Sequence, residues 1–172
     1  MTPGQKKNLQ RLLTPKHIAF IGGSEALYAS RQCAAGGFSG QIWGVNPKRR
    51  KLDAHPCFAS VDDLPEAPDA AFIGVNRFQT VEIVAQLSKI GSGGAVCFAS
   101  GFLEAKAEDS YGENLQRRLL DAASTMPILG PNCYGFINYL DGALLWPDQH
   151  GGIKVKSGVA IITQSSNIAI NI

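Results

Sequence analysis

The chain has 172 residues, 45% of them hydrophobic and 17% charged, with a formal net charge of +2. That is enough apolar material for one compact domain. So small a charge gives no broad basic field of the kind duplex nucleic acid requires, and no apolar run reaches the roughly 20 residues that span a bilayer. Cys33, Cys57, Cys97 and Cys133 are widely spaced with no CxxC pair, and no leader precedes the first apolar run. The expectation is therefore four reduced thiols in the cytoplasm, without a disulfide framework or a zinc site.

A polar, basic start (Gln5, Lys6, Lys7, Arg11) leads to Ile18-Ala19-Phe20-Ile21, a short apolar run ending in Gly22-Gly23-Ser24. This reads as a buried parallel strand opening onto a turn. Glu25 to Ala35 is helix-compatible, Gly36-Gly37 stops it, and Gln41 to Asn46 is a second strand closed by Pro47, which completes one βαβ unit. The pattern repeats with a strand at Ala70–Val75, a helix from Phe78 to Lys89, and a strand at Gly94–Phe98. A helix from Tyr111 to Ser124 and short strands at Pro127–Leu129 and Val159–Thr163 follow. Such alternation predicts an α/β fold with a doubly wound parallel sheet.

Between Gly135 and Lys156 the periodicity fails, and Gly142, Pro147, Gly151 and Gly152 predict an excursion linking two structural units. The expected division is a domain over residues 1–150 and the opening of a second over 151–172. Gln164-Ser165-Ser166-Asn167 supplies capping side chains for a helix that the sequence leaves unfinished, so truncation is expected.

In an open parallel sheet a ligand lies at the carboxyl ends of the strands, where backbone N–H groups and a helix N-terminus attract phosphate. Gly22-Gly23-Ser24 occupies that place. A phosphate turn and an ordinary strand-to-helix turn both favour these residues, because the third glycine of the dinucleotide fingerprint is missing. A nicotinamide-dinucleotide domain ends its second strand with an acid; here the sequence is Asn46-Pro47-Lys48-Arg49-Arg50-Lys51. Four cations favour a ligand with an extra phosphate on the adenosine side, NADP or coenzyme A, with a solvated basic loop as the alternative.

The motif order then becomes recognisable. Leu13 to Ala19, Ile21 to Ser24, Gly37 to Gly40 with Val45 to Lys48, and Ser60 to Pro65 with Pro68 to Ala71 are followed by Ser100 to Glu104, Gly130 to Gly135 and Thr163 to Ser166. Together they resemble the CoA-binding domain of NDP-forming acyl-CoA synthetases, a family related to the succinyl-CoA synthetase alpha subunit. The resemblance implies a Rossmann-like fold followed by the start of a flavodoxin-like domain. It implies coenzyme A as ligand, with ATP or ADP bound only through further ligase and ATP-grasp domains in the same or a partner chain; a homo-oligomer is compatible with it. Gly22, Gly23, Ser24 and Glu25 would hold the CoA phosphates and Lys48 would pair with one. Val75, Asn76, Phe98, Ala99 and Ser100 would line the nucleotide or pantetheine path, and Asn132 would shape the loop near the thiol. No residue here is assigned a catalytic role, since the family's phosphohistidine belongs to a later domain. The acyl group is not legible, because the resemblance implies that its selectivity depends on residues mostly outside this segment, and relatives make acetyl-, feruloyl- and other acyl-CoAs.

Three departures stand out. Arg31 replaces an early helix glycine and would narrow or contact the pyrophosphate path, Asn76 with Arg77 replaces a proline, and Ser166 replaces the glycine of the Gln-Ser-Gly turn. His17, His55 (before Pro56 in a connection) and His150 read as surface or structural residues. Cys133 reads as packing, without a histidine partner, and Trp43 and Trp146 as core or rim. A stand-alone CoA-binding regulatory protein and an NADP-dependent oxidoreductase domain are the competing functions.

Overall fold

The computed structural model describes residues 1–105, 107 and 111–171. It opens with a helix the periodicity did not predict, α1 (Pro3–Leu13). Thr2 and Gln5 form a reciprocal capping box and Pro3 occupies its first turn, which together start a helix whose surface is mostly polar. There follow β1 (His17–Gly22), α2 (Ser24–Ala35), β2 (Gln41–Val45), β3 (Lys51–Leu52), β4 (His55–Phe58), β5 (Ala70–Gly74) and α3 (Arg77–Lys89). Next are β6 (Ala95–Cys97), α4 (Gly112–Ala123), β7 (Ile128–Leu129), β8 (Phe136–Asn138), β9 (Ala143–Leu145) and α5 (Ser166–Ile170).

Seven strands form one sheet in the order β3-β4-β2-β1-β5-β6-β7, and β3 alone is antiparallel to its neighbour. Side chains alternate across it. Ala19, Ile21, Ala71, Ile73 and Cys97 face α3 and α4 through Val84, Leu87, Leu115 and Leu119. Ile18, Phe20, Phe72 and Val96 face α1, α2 and the β8–β9 hairpin through Leu12, Ala29, Cys33 and Leu144. The chain leaves β1 through α2 toward β2, and leaves β5 through α3 toward β6 in the opposite direction. The sheet is thus doubly wound and Rossmann-like, and its switch point lies between β1 and β5.

Three expectations are corrected. His55 is not in a connection: it opens β4, where Pro56 is tolerated because β4 has only the two-residue β3 on its outer side. The segment after Gly135 is not merely an excursion, since β8 and β9 pair through Phe136 and Leu145 and bury Ala143, Leu144, Leu145 and Trp146 against the α2 side of the sheet. Val159–Thr163 forms no strand; it pairs with nothing among the described residues, and Val159 and Ile162 are 91% and 99% exposed. An apolar run cannot hold a strand without a neighbouring ladder.

Candidate functional site

The switch point is built by two glycines. Gly22 and Gly74 are the last register pair of β1 and β5. Gly22 has φ +132°, and a Cβ there would run into the Gly74 carbonyl. Gly23 differs, because a Cβ on it would meet nothing within 4 Å; its α-carbon faces open space. Gly23 is the N-cap of α2 and offers no side-chain cap, while the Ser24 hydroxyl donates to the Glu25 carboxylate at 3.0 Å. Among the described residues, no side chain therefore satisfies the first-turn amides of α2.

The first turn of α3 is satisfied differently. Asn76 Oδ1 accepts from the Phe78 and Gln79 amides at 3.1 and 3.0 Å, so this asparagine is a helix cap. Asn46 links β2 to the switch point: its Nδ2 donates to the Gly22 carbonyl at 2.8 Å, and its Oδ1 accepts from the Lys48 amide at 2.9 Å. Lys48 itself is exposed on the loop after β2.

A cleft of about 540 Å³ opens along the carboxyl ends of β5, β6 and β7. It brings together Glu25, Val75, Asn76, Phe98, Ala99, Ser100 and Asn132 from the expected set, and adds Gly74, Arg77, Cys133 and Tyr134. Gly22, Gly23, Ser24 and Lys48 are not in its wall. The β7 side continues the sheet's hydrogen bonding, with the Phe98 amide on the Ile73 carbonyl, Asn132 on Ala99 and Cys133 on Cys97. Arg77 donates to the Gly101 carbonyl at 2.7 Å, and its guanidinium lies 5.1 Å over the Phe78 ring. Tyr134 meets Phe98 edge-on with ring centroids 5.5 Å apart and lies 5.2 Å from Trp146. Trp146 is buried, and its Nε1 has no hydrogen-bond partner among the described residues. Tyr134 stood in the sequence inside the Gly130 to Gly135 motif and Arg77 beside Asn76 as a departure, but neither had a site role assigned, because three separate loops must converge before both line one cleft.

Arg31 does not reach this end. It lies seven residues beyond Ser24, about 10 Å down α2, and forms an ion pair at 3.0 Å with Asp53 in the β3–β4 turn. Its guanidinium is engaged on the flank of the sheet, with Asp53, and not at the glycine turn that opens α2. Burial pushes the Cys33 and Cys97 thiols up to about 12. It also raises Cys133, against a hydrogen bond with the Gly135 backbone. A thiol held protonated at neutral pH is a poor nucleophile. None of the three histidines lines the cleft.

Residues 16–139 match the CoA binding domain family. The chain belongs to this family. It is 36% identical over 140 residues to a trans-feruloyl-CoA synthase from an unknown prokaryotic organism, covering 78% of this chain and 20% of that protein. It is 35% identical over 135 residues to the ADP-forming acetate–CoA ligase I of Archaeoglobus fulgidus, covering 76% and 19%. The apo structure titled dinucleotide forming acetyl-coenzyme A synthetase 1, from Candidatus Korarchaeum cryptofilum, superimposes with a TM-score of 0.74 at 28% identity, covering 84% of this chain and 32% of that one. The chain spans about a fifth of the length of these curated relatives. It is thus a CoA-binding domain similar to those of NDP-forming acyl-CoA synthetases. No helix among the described residues is long and apolar enough to cross a membrane.

Proposed function

We propose that this chain holds coenzyme A across the carboxyl edge of the sheet and is the CoA-binding module of an ADP-forming acyl-CoA synthetase. The observation that carries the pose is the uncapped first turn of α2, which begins at a glycine facing open space beside the switch point. The pyrophosphate would sit on these amides near Gly22, Gly23 and Ser24. Lys48 would take the ribose phosphate from the end of β2, where a nicotinamide site needs an acid. The pantetheine arm would run past Val75, Asn76, Phe98, Ala99 and Ser100 to Asn132.

In this reading the parent enzyme joins a carboxylate to CoA at the expense of ATP, through acyl phosphate and phosphohistidine. ATP and the phosphohistidine would belong to other ligase domains, in the same or a partner chain, and the protein would work in the cytoplasm. A domain boundary at 150/151 is supported by the family match, which ends at residue 139, and by the lack of regular structure between Gly151 and Ser165.

Calorimetry with CoA, dephospho-CoA and NAD tests the pose. CoA should bind more tightly than NAD, and Lys48→Ala should weaken CoA by about 1 to 3 kcal/mol, with a smaller effect on dephospho-CoA. Tighter binding of NAD would sink the assignment. Equal losses for CoA and dephospho-CoA would move Lys48 to the pyrophosphate.

A further inference from the structure

The strand order gives the cleft a direction. From the basic loop after β2 the carboxyl edge passes β1, β5, β6 and β7, about 19 Å at the usual strand spacing. With the adenosine phosphate at β2 and the pyrophosphate at α2, the thiol of the coenzyme falls at the β7 end, where the wall is made by Phe98, Cys133 and Tyr134.

That end is more aromatic than a bare thiol needs. Tyr134 is 36% exposed and buttressed from two sides, edge-on by Phe98 and at 49° by Trp146. Phe98 is in turn packed on Phe72 of the core, with ring centroids 5.9 Å apart. A ring held in this way is a preorganised platform, since little side-chain freedom remains to be lost when a second ring stacks on it. Trp146, the ring packed on Tyr134 at 5.2 Å, is itself 4% exposed and so is fixed in the core.

We propose that the β7 end of the cleft is an acyl subsite selective for an aromatic acyl group carried on the CoA thiol, with Tyr134 as its stacking platform. The carboxylate substrate of the parent ligase is then an aromatic acid. This rests on the CoA pose proposed above.

The test is calorimetric titration of the chain with CoA, acetyl-CoA, hexanoyl-CoA and benzoyl-CoA, repeated for Tyr134→Leu and Tyr134→Phe. Benzoyl-CoA should bind about tenfold more tightly than acetyl-CoA or hexanoyl-CoA, the scale of one well-formed aromatic pair. Tyr134→Phe should keep that ratio, and Tyr134→Leu should bring it close to one. Hexanoyl-CoA binding as tightly as benzoyl-CoA would show an apolar end without aromatic selectivity and overturn the inference. A benzoyl preference that survives Tyr134→Leu would overturn the role of Tyr134. CoA binding without any acyl preference refutes the subsite alone, whereas no CoA binding by the unmodified chain refutes the coenzyme pose and the subsite with it.

Discussion

Replacing Gly22 by alanine separates the residue that closes the switch point from the one that faces the ligand. A φ of +132° costs an L-residue about 1 to 3 kcal/mol. The new Cβ would also collide with the Gly74 carbonyl oxygen and lie 2.7 and 3.3 Å from the carbonyl carbon and α-carbon behind it, inside the 3.4 Å at which ordinary contact begins. Both partners are backbone, so β1 and β5 must part at their last register pair, adding about 1 to 3 kcal/mol of overpacking. The total of about 2 to 6 kcal/mol corresponds to a fall in Tm of roughly 4 to 24 °C for a domain of this size. Gly23→Ala places its methyl in open space, so it should cost less stability while blocking phosphate from the α2 amides and weakening CoA about tenfold. Thermal melts by circular dichroism and calorimetry with CoA read the two effects. A Gly22→Ala melt within about 2 °C of the unmodified chain would refute the argument from the glycine pair, and intact CoA affinity in Gly23→Ala would refute the phosphate placement.

Three further outcomes follow from named groups. Burial acts to raise the Asp69 pKa, but hydrogen bonds from Arg11 and from the Lys16 and His17 amides outweigh it and leave it below the ordinary carboxylate value. Its ionised form thus stabilises the fold above the unfolded pKa near 3.9, and that contribution is lost as pH falls through the lower folded value. Asp69→Asn should lower stability by about 1 to 3 kcal/mol at pH 7, with the gap to the unmodified chain closing below about pH 4 in melts taken across pH; a gap independent of pH would refute the assignment. Cys33 and Cys97, fully buried with thiol pKa values of about 12, should resist iodoacetamide at pH 8 in the native chain and react in urea, as mass spectrometry can read. Cys133, in the cleft wall, should be alkylated more slowly when CoA is present.

What the sequence displayed was periodicity backed by burial. β1, β2, β5 and β6 are apolar because both faces of the sheet are covered, so their runs were legible within a residue or two of their ends. α1 was not, because Leu12 is its one fully buried side chain and its real signature was the cap of Thr2 and Gln5. The β8–β9 hairpin was hidden by strands of three residues and by the flanking Gly135, Gly142 and Pro147, which read as breakers. Its burial comes from packing beside α2, a contact between residues more than 100 positions apart. Val159–Thr163 shows the converse, composition of a strand without a partner to pair with. At the site, the glycine turn and the basic loop are local and could be read, whereas the convergence of Arg77, Phe98 and Tyr134 depends on three loops meeting.

The arrangement of titratable groups also bears on where the chemistry of the proposed reaction takes place. A phosphoryl relay needs a histidine within reach of the acyl phosphate and later of the nucleotide. Here His17 stacks on Trp43 at 5.2 Å and neighbours Glu66 and Asp69. It begins β1, five residues and about 16 Å from Gly22 at the switch point. His55 opens β4, and His150 is hydrogen-bonded to the Tyr139 hydroxyl at 3.1 Å. The cleft wall instead offers Arg77 and the Asn132 carboxamide beside Glu25 and a neutral Cys133 thiol, polar groups that can orient an anionic coenzyme, and no histidine to serve such a relay. The chain incubated with labelled ATP, CoA and a panel of carboxylates should therefore retain no label and release no acyl-CoA, with an ADP-forming acyl-CoA synthetase as positive control. Label recovered on His17, His55 or His150, or acyl-CoA formed by this chain alone, would place the reaction here and refute the division of binding from chemistry.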